Sequence, residues 1–167
     1  MAPALPDPPP ALDGAPRAFY DTLREMLAAV RPSRLDTAGS VVRFDQGRVE
    51  VGLVHADRDD WRIGATIGPR DGMVVTDATH EHFSPPASDA PEERPWTTQM
   101  VDFIAELLRG EVEVETTYRG DTPIVVRHFN FDDDGERVLL GHTGLLVPAR
   151  LFLWRARRTE TERVSWR

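Results

Sequence analysis

The twenty residues from Trp96 to Glu115, WTTQMVDFIAELLRGEVEVE, change hydrophobic period partway along, and that change decides the fold class. Trp96, Met100, Phe103, Ile104, Leu107 and Leu108 recur at the spacing of one helical face. Arg109 stands where it meets the carbonyl end of that helix, and Gly110 is able to take the left-handed cap. From Glu111 the period drops to two: Val112 and Val114 alternate with Glu111, Glu113 and Glu115, so the valines are expected to face a core and the three carboxylates to stand together on the other face.

Downstream the plan continues as a meander. Arg119-Gly120-Asp121 turns the chain, Ile124 to Phe131 returns, Asp132-Asp133-Asp134-Gly135 turns again, and Val138-Leu139-Leu140 follows. A last strand is expected near Leu151 to Arg157, then a polar tail.

Upstream, Pro85, Pro86, Pro91 and Pro95 make residues 84–95 a connecting loop. Before it, Val42 and Phe44, then Val49, Val51 and Leu53, then Trp61, Ile63, Ala65 and Ile67, then Met73 to Thr76 read as strands joined by turns too short for a parallel crossover. Phe19, Leu23, Met26, Leu27 and Val30 form an apolar helical stripe between Pro16 and Pro32. Six prolines within residues 1–16 predict a disordered tail. The expected fold is therefore α+β: two amphipathic helices on antiparallel sheet, in the order helix, meander, helix, meander. The organisation expected is one domain over residues 17–167, with halves 17–83 and 96–158 joined by the loop.

Length and composition bound the function. A chain of 167 residues is short for an eightfold barrel enzyme, and no apolar run of membrane-spanning length occurs. With no cysteine there is no disulfide framework or thiol nucleophile, and the N-terminal residues carry Asp7 and Asp13 where an export signal needs bases, so a cytoplasmic location is expected. The net charge of −8 disfavours a nucleic-acid partner and favours a protein partner with a basic surface. All 20 basic residues are arginine, which leaves no lysine for Schiff-base or phosphate-loop chemistry.

Of the motifs that carry chemistry, His80 and His82 are the sharpest, because two imidazoles two apart on an extended segment project to one side and can share a metal. Asp77, His55, His128 and His142 are candidate third ligands, none singled out by spacing. The run Asp132-Asp133-Asp134-Gly135 fails as a calcium loop, since Gly141 falls where a bidentate glutamate is required. No serine stands in a nucleophile elbow. The expectation is a non-enzymatic protein without a cofactor, with a small metal-dependent enzyme centred on His80 and His82, or a homo-oligomer subunit, as alternatives.

Charge patterning supplies the candidate binding residues. From Glu111 to Glu136 eight acids face two arginines, while from Arg150 to the end six arginines face two glutamates. Glu111, Glu113 and Glu115, with Arg119 and Asp121 at the following turn, are the expected contact residues for a basic partner. Alternatively, the basic ending is a strand that pairs with the acidic one.

The stretch from Trp61 to Phe131, with Thr79-His80-Glu81-His82-Phe83, the helix ending Leu107-Leu108-Arg109-Gly110 and Tyr118-Arg119-Gly120, resembles small bacterial α+β domains of the kind found as toxin-immunity proteins. The resemblance implies an α+β domain that acts by binding, as an immunity-like inhibitor, and carries over no catalytic residue.

Overall fold

The computed structural model describes residues 5–58, 61–76, 80–86, 94–131, 135–144 and 157–166. Among them are two helices and two antiparallel sheets, an α+β fold in the expected order. The contacts divide the chain into two compact units. One holds the residues up to Arg109 together with Trp166; the other holds Gly110–Ser165. The boundary is thus Gly110 and not the proline-rich loop, because the second helix packs on the first and on strands of the first half.

In the first unit, α1 (Gly14–Val30) precedes β1 (Leu35–Asp45), β2 (Arg48–His55), β3 (Arg62–Ile67), β4 (Gly72–Thr76) and β5 (His80–Phe83), and α2 (Trp96–Arg109) follows. The strands lie in sequence order, each antiparallel to the next. Alternation divides them cleanly. Val49, Val51, Leu53, Ile63, Ala65, Ile67 and Val74 are buried, and both helices lie against this sheet with Phe19, Leu23 and Leu27 of α1 and Met100, Ile104 and Leu108 of α2 also buried. Gly72 lets α2 come close, since a Cβ there would stand 2.9 Å from Met100 Sδ and 3.0 Å from the Trp96 ring. The β1–β2 connection is a two-residue turn, Gln46-Gly47, with φ of 46° and 77°, the left-handed pair that matches the twist of a hairpin.

Residues 5–13, expected to be a free tail, instead lie along α1. Leu12 is buried, Tyr20 Oη donates to the Pro6 carbonyl at 2.7 Å, and Asp7 meets Arg24 at 3.1 Å. Burial pushes the Tyr20 phenol above its ordinary pKa, so it stays a donor. The prolines remove backbone donors but leave carbonyls, and the helix supplies the partner.

The second unit is a four-stranded sheet in the order β8 (Arg137–Gly144), β7 (Thr122–Phe131), β6 (Glu111–Arg119), β9 (Arg157–Ser165). The expected strand near Leu151 to Arg157 lies outside the described residues apart from Arg157. The segment expected as a polar tail forms β9 and pairs with β6 from Glu111↔Ser165 to Arg119↔Arg157. It escapes apolar periodicity because seven of its nine residues are exposed, as suits an edge strand guarded by charge. Among the described residues no helix is long and apolar enough to cross a membrane.

Candidate functional site

The acidic strand comes first, because the sequence nominates it. Glu111, Glu113 and Glu115 do alternate with Val112 and Val114, but they form no open anionic surface. The antiparallel register puts Arg163 opposite Glu113 on β9 and Arg127 opposite Glu115 on β7. Glu113 is buried and takes Arg137 at 2.7 Å and Arg163 at 3.3 Å. Glu115 takes Arg127 at 2.8 Å and Arg137 at 3.5 Å. Only Glu111 stays half exposed, with Arg163 at 4.0 Å.

The arginines are held from above by aromatic faces: Arg137 lies 3.8 Å from the Phe129 centroid and Arg163 4.7 Å from that of Phe131. Three carboxylates meet three guanidinium groups, so the cluster is balanced in charge. The hydrogen bond from Arg127, followed by that from Arg137, holds the Glu115 carboxyl below its ordinary range against an opposing burial effect. The expectation that these glutamates present free negative charge is corrected here: Arg163 of the basic ending, with Arg127 and Arg137, pairs with them within the sheet.

Arg119 is at the far end of β6, roughly 13 Å along the strand from Glu115 at about 3.3 Å per residue, and Asp121 lies beyond it, so they do not join that cluster. Asp121 is exposed in the β6–β7 turn, and Arg119 faces Thr122 and Arg157.

His80 and His82 do come together. Both are exposed on the outer edge strand β5, with ring centroids 5.4 Å apart and planes at 87°. Asp77, a candidate third ligand, lies outside the described residues. His55 is buried against Trp166 and receives the Asp57 N–H on Nδ1 at 3.2 Å. Among the described residues no group of three or more histidine, aspartate or glutamate side chains is placed to hold a metal ion.

A feature not nominated by sequence lies on the open face of the five-stranded sheet. The registers align Val41, Gly52, Gly64, Val75 and His80 in one row across all five strands. The two glycines floor an open depression of about 250 Å³ between Val41 and Val75, which are 50% and 39% exposed, with Arg43, Glu50 and Thr66 along one side. Arg43 and Glu50 are cross-strand partners, yet neither forms an ion pair with a described residue. Glycine inside a central strand weakens it, and two in register leave the backbone bare of side chains at this point of the sheet. That signal was readable in VEVGLVH and RIGATI, where each glycine interrupts the polar face of an otherwise regular alternation.

Comparison of the chain with protein-family models, curated proteins and solved structures finds no match.

Proposed function

We propose that this protein is a binding module that docks a basic protein segment on the open face of its five-stranded sheet. The observation that carries the reading is the Gly52–Gly64 floor between exposed Val41 and Val75. An aliphatic side chain of the partner fills the space left by the two missing side chains, and Glu50 meets a basic neighbour. The net charge of −8 steers such a partner toward the molecule and makes association salt-dependent. The glutamates of β6 are not the contact surface. An immunity-like role is the form of this reading in which the basic partner is a toxin.

Amide NMR titration with two synthetic peptides tests it: a leucine flanked by arginines, and the same leucine flanked by glutamates. The basic peptide alone is expected to shift the amides of Val41, Gly52, Gly64 and Val75, with the effect shrinking as salt is added. Gly64→Val fills the floor and should abolish the response while the fold persists. Unmoved amides on this face, or an equal response in Gly64→Val, overturn the proposal.

A second reading, self-association through β8, is favoured by the exposure of Val138 and Leu139, 47% and 51%, on the outermost strand of the four-stranded sheet. Light scattering decides it, with a mass that stays that of one chain at high concentration counting against it.

A further inference from the structure

The open face of the five-stranded sheet ends, at β5, in two imidazoles that the docking reading leaves unused. His80 and His82 point to the same side, are exposed, and make no hydrogen bond or ion pair with a described residue. Among the described residues, then, nothing competes for their ring nitrogens. Their spacing suits a shared ion. Imidazoles ligating one metal at about 2.0 Å have centroids about 3.1 Å from it, which at a trigonal angle lie about 5.4 Å apart. The observed separation is 5.4 Å.

The register supplies a third group. Met73 on β4 is the direct cross-strand partner of His82, and Val75 is that of His80. The Met73 thioether thus belongs to the same face as both imidazoles, on a half-buried side chain whose Cβ is within about 4.5–5.5 Å of that of its cross-strand neighbour. Glu81, between the two histidines, alternates to the opposite face, so no carboxylate of β5 joins the set. The chain has no cysteine to offer a thiolate instead.

The geometry points to a surface site for copper(I), held by His80, His82 and the Met73 thioether. Two imidazoles alone do not separate zinc, nickel and copper; a neutral thioether does, because soft sulfur favours copper(I) over zinc. Three neutral ligands also suit a singly charged ion, and they leave a further coordination position open toward solvent. The site is independent of the docking proposal, since it uses none of the residues that floor or wall the depression except as neighbours.

The test titrates untagged full-length protein anaerobically with ascorbate-reduced copper against a chromogenic copper(I) chelator, with zinc(II) as a control. Carbon-detected NMR of methionine methyls and histidine rings reports the ligands directly. The expected result is one copper(I) per chain, with shifts confined to the Met73 methyl and the His80 and His82 rings. His80→Ala with His82→Ala should weaken copper(I) by about tenfold or more. Met73→Leu, which preserves volume, should weaken copper(I) and leave the weaker zinc response unchanged. Circular dichroism confirms that each variant is folded, and His80→Gln with His82→Gln replaces the alanine pair if that pair unfolds. Copper(I) bound with the same affinity by the double histidine variant, no stoichiometric binding at all, or a Met73→Leu protein indistinguishable from wild type would each overturn the assignment.

Discussion

The Trp166 ring stands edge-on to the His55 imidazole, centroids 5.1 Å apart and planes at 69°, and the Trp166 carbonyl accepts the Arg34 N–H at 3.3 Å. Both side chains are buried, Trp166 to within 1%. Trp166 therefore belongs to the unit built from the helices and the five-stranded sheet, although β9, which leads into it, belongs to the other unit. Removing a fully buried indole leaves a cavity as well as lost apolar burial, so Trp166→Ala should destabilise the first unit by about 3–5 kcal/mol. Trp166→Phe keeps an aromatic edge for His55 and should cost less. Urea unfolding of both variants checks the order, and a Trp166→Ala protein as stable as wild type would show the indole to be a passive passenger.

That contact was not legible in the sequence, and the reason is physical. Trp166 follows a run of charged residues with Val164 as its one periodic apolar neighbour, too short a pattern to lift it from a tail; its burial is decided by where β9 places it. Apolar periodicity misses the range of β9 for the same reason, although the opposed charges offer the basic ending as a strand pairing with the acidic one; it is held by pairing with β6 and by Glu113–Arg163. Where one face is buried, the pattern sufficed: α2, β2 and β3 were readable from Leu108, Val51 and Ile63 and their periodic neighbours. The shared face of Glu111, Glu113 and Glu115 was also readable, and the opposed charges pointed to the ending that carries Arg163, but not to Arg127 or Arg137. Arg137 reaches them from β8, two strands away in the sheet order, and strand order is a tertiary property.

Glu113 is the hub of that pairing. Its side chain is 9% exposed while Arg137 and Arg163 are 43% and 61% exposed, so on losing the carboxylate both cations turn to water. The cost of Glu113→Ala should accordingly be about 1–2 kcal/mol, below the 3–5 kcal/mol typical when the abandoned charge is fully buried. A double-mutant cycle with Arg137→Met should return a coupling of about 1 kcal/mol, and additive losses would mean that the 2.7 Å contact contributes packing alone.

Glu115 sets a pH dependence. Its carboxyl is held below the ordinary range by the hydrogen bonds from Arg127 and Arg137. As pH falls, the unfolded chain therefore takes up this proton before the folded one does. The stabilising contribution is complete above the ordinary glutamate value of about 4.3 and is lost as pH drops through the lower folded value. At neutral pH, Glu115→Gln should be less stable than wild type, and the gap should close as the solution is acidified below about pH 4. Urea midpoints for the two proteins across this range decide the matter, since a constant gap would place the acid sensitivity elsewhere.

The glycine floor makes a prediction that separates binding from folding. A Cβ at Gly64 would approach nothing closer than the Val75 carbonyl at 3.7 Å, an ordinary contact, whereas one at Gly52 would stand 3.2 Å from Val41 Cγ2. Neither residue needs a left-handed backbone, so substitution meets no conformational penalty. Glycine within a strand loses more backbone freedom on folding than any other residue, and Gly64→Ala should raise stability by about 0.5–1 kcal/mol. Gly52→Ala should gain less, because the exposed Val41 side chain has to turn aside. If the chain keeps this depression for a partner, each gain in stability comes with weaker docking, and Gly64→Val should lose the most. A Gly64→Ala protein that is less stable than wild type would show that the glycine serves the sheet itself, and the depression would then be a by-product of strand packing.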